Sequence, residues 1–189
     1  MSGTRAGTAL PGMVGHRSEL TDGMSTDEQT YDAGDACPIP TVDQAPDDDV
    51  LAGILARSHS VAVIGASPDP LRTSHAIATW LMNNTNYELY LVNPFGGDED
   101  VEGHGFYAAL SDLPVAPDIV VVFRRSKDVP PVADAAIEAD ASVLWLQLGI
   151  VNDVAAANAR AAGLGVVQNR CIKVEYARLS ERIEAVRAQ

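Results

Sequence analysis

Residues 61–81 read VAVIGASPDPLRTSHAIATWL, and the order of residue types within this stretch decides the fold. VAVI is an apolar run without polar alternation, the pattern of a strand covered on both faces. Gly65 closes the run; after a polar turn, HAIATWLMNN places apolar residues at helical spacing, with Ser74 as its candidate cap. A strand that turns at a glycine into a helix is the opening of a nucleotide-binding βα unit. The dinucleotide fingerprint G-x-G-x-x-G is incomplete, because Ser67 stands where its second glycine belongs.

Four more apolar runs follow: LYLVN (89–93), IVVVF (119–123), VLWLQL (143–148) and GVVQN (165–169). Helical patterns separate them. Ser126 precedes KDVPPVADAAIEA, whose prolines suit a first turn, and Asn152 caps DVAAANARAAG, with Gly163 placed to end it. Between the second and third runs only YAALSDL reads as helical, and a last amphipathic helix is expected over 174–188. Before the first run, Asp47 or Asp48 can cap a helix carrying Val50, Leu51, Ile54 and Leu55 on one face. Strand–helix alternation of this kind predicts an α/β domain over 47–189, a Rossmann-like doubly wound parallel five-stranded sheet with helices on both faces. Residues 1–46 are rich in Gly, Ser, Thr, Asp and Pro without apolar periodicity, and are expected to form a disordered acidic extension.

The net charge of −13 argues against a general nucleic-acid or anionic-membrane surface. Aspartates outnumber glutamates and only two lysines are present, a balance resembling the acidic proteins of salt-accumulating organisms. The longest strongly apolar segment, near 141–151, is too short to span a membrane and contains Gln147. No signal-peptide core opens the chain, so a soluble cytoplasmic protein is expected. Cys37 and Cys171 are too few for a disulfide framework or a zinc site.

Ligands of open parallel sheets bind beyond the carboxyl ends of the strands, near the point where strand order reverses. Gly65, Ala66 and Ser67 follow the first run there, with Arg72 beyond; Asn93 and Pro94 follow the second. Phe123, Arg124, Arg125 and Lys127 follow the third; Gln147, Leu148 and Gly149 the fourth; Asn169, Arg170 and Cys171 the fifth. Five of the cations of an acidic chain thus fall in loops on one rim, which points to a small polyanion. The competing reading pairs those arginines with Asp69 and Asp128. Sheets that bind NAD place an acid at the end of the second strand for the ribose hydroxyls; Asn93 stands there instead and would not repel a ribose phosphate. The favoured ligand is an adenine nucleotide with an additional phosphate on its ribose.

The segments VAVIGASPDPLRTSHAIATWL, LVNP, VVVFRRSKDVPPVADAAIEADASVLWLQLGIVN and AGLGVVQNRCIKVEY, over roughly residues 50–180, closely resemble the small stand-alone CoA-binding proteins. That family shares its Rossmann-like domain with the succinyl-CoA synthetase α-subunit and the ADP-forming acyl-CoA synthetases. The resemblance implies coenzyme A as ligand, with Gly65, Ala66 and Ser67 on its pyrophosphate and Arg72 reaching phosphate. It places Asn93 and Pro94 against the ribose and its 3′-phosphate, and Phe123, Arg124 and Arg125 around the adenine and phosphate pocket. Gln147, Leu148 and Gly149 would border the pantetheine. The synthetases add a phosphorylated histidine domain and an ATP-grasp partner, for which this chain is too short. The resemblance therefore carries over binding of CoA or acyl-CoA and no ligase chemistry.

Two other functions stay open at this point: an NAD(P)-dependent oxidoreductase, and a separate subunit of an acyl-CoA ligase. A homo-oligomer and an acyl-CoA ligase partner chain are likewise open. Cys171 on the rim could exchange with the CoA thiol, although an ordinary buried cysteine is the favoured reading. His16, His59, His75 and His104 show no paired spacing for a metal or phosphoryl transfer, and His75 reads as a local polar residue. Trp80 and Trp145 read as core, and Ser67 lacks the nucleophile-elbow context of a hydrolase.

Overall fold

The computed structural model describes residues 46–189. The disordered extension expected over residues 1–46, with Cys37, lies outside the described residues except for Pro46. The described chain runs α1 (Asp48–Arg57), β1 (Ser60–Ile64), α2 (Thr73–Asn84), β2 (Glu88–Val92), β3 (Asp100–Val101), β4 (His104–Tyr107) and β5 (Ile119–Val122). It continues with α3 (Pro130–Glu138), β6 (Val143–Leu146), α4 (Asp153–Ala161), β7 (Gly165–Val167), α5 (Ile172–Arg178) and α6 (Ser180–Arg187). One sheet results, in the order β3-β4-β2-β1-β5-β6-β7.

The five apolar runs of the sequence are the parallel strands β2-β1-β5-β6-β7, with Val61 opposite both Leu89 and Ile119. Each strand sends alternate residues to opposite faces. Val61, Val63, Leu91, Ile119, Val121 and Trp145 meet Leu51, Leu55, Ile77, Leu81, Ile172 and Ile183 from α1, α2, α5 and α6. Ala62, Ile64, Val120, Val122, Leu144 and Leu146 meet the alanines of α3 and α4 (Ala133, Ala136, Ala155, Ala156, Ala159), whose small side chains bring those helices close. Burial on both faces is why the runs lack polar alternation.

Four expectations need correction. The sheet has seven strands, because the link before β5 forms a β3–β4 hairpin whose second strand pairs parallel to β2. Its two-residue turn, Glu102 and Gly103, has positive φ at both positions (53° and 83°), the backbone of a tight type I′ turn. The YAALSDL piece is reduced to a single 3-10 turn at Leu110–Asp112. The last helix breaks into α5 and α6 at Leu179, which is buried in the core with φ −101° and ψ 10°. α2 starts one residue before Ser74, which is buried within the helix, and its N-cap Arg72 makes no capping side-chain bond. The Asp47 and Asn152 caps form as expected, accepting from the amides of Val50 at 2.8 Å and Ala155 at 2.9 Å.

At the amino ends of β1 and β5, the Asp118 carboxylate accepts from the amides of His59 (2.7 Å) and Ser60 (3.0 Å) and from the Ser60 hydroxyl (3.1 Å). The Ser60 hydroxyl in turn accepts from the Asp118 amide at 2.9 Å. Burial pushes the Asp118 carboxyl up, but these hydrogen bonds outweigh it and hold the group below the usual carboxylate range. A carboxyl with its folded pKa depressed stabilises fully above its unfolded value of about 3.9. That contribution is lost as pH falls through the lower, folded value. Asp118→Ala should cost about 2–3 kcal/mol in denaturant unfolding at pH 7. The deficit against the parent should shrink as both are acidified below about pH 3.9; a pH-independent deficit would rule out the charged clamp.

Candidate functional site

Strand order reverses between β1 and β5, since β2 and β4 lie on one side of β1 while β5, β6 and β7 lie on the other. Gly65 leaves β1 at this switch point with φ +79°, and a Cβ on it would sit 2.5 Å from the Phe123 carbonyl oxygen. Only glycine allows the turn and the close approach together. The pair is fixed on both sides, because Phe123 N donates to Ile64 O and Gly65 N to Val92 O, each at 2.9 Å.

Ala66 is buried behind this turn, and the Ser67 hydroxyl accepts from the Asp69 amide at 3.2 Å. His75, read from sequence as a local polar residue, donates its Nδ1 proton to Ser67 O at 3.1 Å and so holds the loop against α2. α2 begins over the loop with neither an acidic residue in its first turn nor a side-chain cap. By contrast, α1 and α4 each have both. The start of α2 therefore offers unfilled backbone donors and the positive end of its dipole beside Gly65.

Asn93 is committed to the same loop. Its Nδ2 donates to Ala66 O at 2.7 Å, and its Oδ1 accepts from the Phe95 amide at 3.2 Å. An aspartate here would face a carbonyl oxygen with a carboxylate, which gives the missing ribose-binding acid a local cause. Pro94 and Arg124 line a cleft of about 200 Å³ with Ile64, Leu110, Val132 and Ala135. Leu110, Val132 and Ala135 were not picked out from sequence; their apolar character alone does not separate cleft wall from core.

The rim cations divide. Arg72 pairs with Asp69 at 3.6 Å, Arg125 with Asp128 at 2.8 Å, and Arg170 with Glu175 at 3.2 Å. Among the described residues, Arg124 and Lys127 are the rim cations without an acidic partner. Arg124 is half-buried, with its Nε 3.3 Å from the position a Cβ on Gly65 would take. The neighbouring Arg125 is exposed.

Gln147, next along β6, is 3% exposed and its Nε2 has no hydrogen-bond partner. Leu148 lies in a second cleft, of about 290 Å³, beside Cys171. Cys171 is half-buried and packs against the core. The turn at Leu148–Gly149 is held by Asn169, whose Oδ1 accepts from Gly149 N at 2.7 Å. Asn169 has φ 55°, a left-handed backbone that asparagine tolerates better than most residues.

A larger cavity, of about 590 Å³, opens at the amino ends of β5 and β6, beside α1. Asp47, Asp49 and Asp118 line it, with Arg57 as the one cation among the described lining residues, so its charge opposes a polyphosphate. Among the described residues no group of three or more His, Cys, Asp or Glu is placed to hold a metal. No helix among them is long and apolar enough to cross a membrane.

Residues 59–177 match the family model of the CoA binding domain. The chain belongs to the CoA-binding domain family. The ligand of this domain is coenzyme A. YneT, an uncharacterized protein of Bacillus subtilis (strain 168), is 38% identical over 134 residues, covering 71% of this chain and 97% of YneT. The structure of cell-free ID.343 from Thermus thermophilus superposes with a TM-score of 0.67 at 31% identity, over 71% of this chain and 99% of that one. The dinucleotide-forming acetyl-coenzyme A synthetase 1 of Ca. Korarchaeum cryptofilum, in its apo form, aligns at 25% identity and a TM-score of 0.55. That match covers 63% of this chain but 28% of the synthetase.

Proposed function

We propose that the protein binds coenzyme A or an acyl-CoA along this rim without ligase chemistry of its own. In this reading, Gly65, Ala66, Ser67 and the uncapped start of α2 receive the pyrophosphate. The 200 Å³ cleft beside Pro94 and Arg124 takes the adenine and the 3′-phosphate, while the Phe123 side chain packs against the other face of the sheet. Gln147, Leu148 and Gly149 border the pantetheine, whose amides would satisfy the unpartnered Gln147 Nε2. The observation that carries the reading is the placing of Arg124, an unpaired cation, directly beside the Gly65 turn. Asn93 contributes by shaping the loop, and Arg72 and Arg125 can serve the ligand only by leaving Asp69 and Asp128.

Calorimetry with CoA, dephospho-CoA and NAD tests this. CoA should bind about tenfold or more above dephospho-CoA, a charge-assisted contact of roughly 1.5–3 kcal/mol, and NAD should be weaker than CoA. Arg124→Ala should remove most of the difference between CoA and dephospho-CoA, while Arg125→Ala should change it less. Equal affinities for the two ligands in the parent protein would refute the assignment of Arg124 to the 3′-phosphate.

A ligase partner chain is the second reading, favoured by the match to part of a synthetase. Acyl-CoA formation from acid, CoA and nucleotide, appearing only when a second chain is added, would establish it.

A further inference from the structure

We infer that the 290 Å³ cleft at the ends of β6 and β7 is an acyl subsite, which takes the short, uncharged acyl group of a CoA thioester. The inference rests on the proposed course of CoA along the rim. β6 lies two strand spacings from β1, roughly 10 Å, so a ligand anchored at the Gly65 loop that runs past Gln147 arrives at this cleft with its thiol end. Its walls are Leu148, Asn169, Cys171 and Val174, with Arg170 and Glu175 beside them.

The chemistry of the walls selects the occupant. Leu148 and Val174 are large apolar side chains left 70% and 55% exposed, and both line this one cleft. Covering them with an acyl chain removes apolar surface from water on both partners. The charged groups are already spent: Arg170 donates to Glu175, and Glu175 also accepts from Arg178 at 2.7 Å. Among the described residues no unpaired cation lines the cleft to hold a terminal carboxylate. The Leu148 wall is pre-set, since Asn169 in its left-handed conformation fixes the Gly149 amide. The phosphates of CoA do not fit such a lining, and its adenine is already placed in the 200 Å³ cleft beside Arg124, which leaves the thioester end.

The test is a calorimetric series of CoA, acetyl-, butyryl-, hexanoyl- and succinyl-CoA against the full chain and its Val174→Asp variant. Val174 is exposed in the first turn of α5, where an aspartate is compatible with the helix, and circular dichroism checks that the fold is kept. Affinity should rise about threefold to fourfold for each methylene buried, level off once the cleft is filled, and show no such gain for succinyl-CoA. Val174→Asp should flatten the series and leave CoA itself within about twofold, whereas Val174→Leu should preserve the rise. A flat series in a parent protein that binds CoA overturns the acyl subsite alone. A rise that Val174→Asp leaves intact overturns its placement in this cleft. Failure to bind CoA or any of its thioesters overturns the reading of the rim, and this inference with it.

Discussion

Gly65→Ala should abolish measurable CoA binding and destabilise the domain by about 3 kcal/mol or more. Two costs combine at one atom. A left-handed backbone at φ +79° is strained by about 1–2 kcal/mol for any residue with a Cβ. The new Cβ would also lie 2.5 Å from the Phe123 carbonyl oxygen, which is backbone and cannot rotate aside. Retreat on either side breaks a bond of the central ladder, Phe123 N to Ile64 O or Gly65 N to Val92 O. The loop that yields would be the one carrying Ala66 and Ser67, so the phosphate-binding geometry is lost even where the variant folds. Denaturant unfolding and CoA titration measure the two effects separately. A variant within 1 kcal/mol of the parent, still binding CoA, would mean that the turn has freedom the geometry denies.

The parallel sheet was legible because five apolar runs without polar alternation, separated by helical patterns, are the signature of strands covered on both faces. The β3–β4 hairpin was not. His104 and Gly105 are exposed and only Phe106 and Tyr107 pack against the core, so the strand, paired with Leu91 and Val92, carries too short an apolar pattern to be read. Its turn carries Glu102 where asparagine or aspartate would have signalled it. The rim was legible as a place and less so as an inventory. Five cations were counted there, but Asp69 and Asp128 stand three residues from Arg72 and Arg125 and take them up. Such i,i+3 pairs can be suspected from sequence, yet the choice between an acidic neighbour and a ligand needs the side-chain directions. Asn93 shows the same limit: its identity was read as permission for a ribose phosphate, while its amide is spent on Ala66 O.

Trp145→Ala should be the costliest core substitution tested, at about 3–5 kcal/mol, out of a stability typically near 5–15 kcal/mol. Trp145 is fully buried in β6, between Val121 of β5 and Val167 of β7. Its truncation opens a cavity beside an interior strand that rigid neighbours on both sides cannot fill. The indole does a second thing: its Nε1 donates to Arg170 O at 2.8 Å, and Arg170 N reaches Leu146 O at 3.3 Å. Together these tie the loop after β7, which carries the walls Asn169 and Cys171, to β6. Trp145→Phe separates the two roles. It keeps most of the apolar volume and removes only the donor, so its cost should fall to about 1–2 kcal/mol. The released loop should then weaken binding of hexanoyl-CoA more than binding of CoA, because the thioester end lies against that loop and the phosphates lie two strands away. Equal loss for both ligands in Trp145→Phe would show that the indole supports the rim as a whole, rather than the wall beside Cys171.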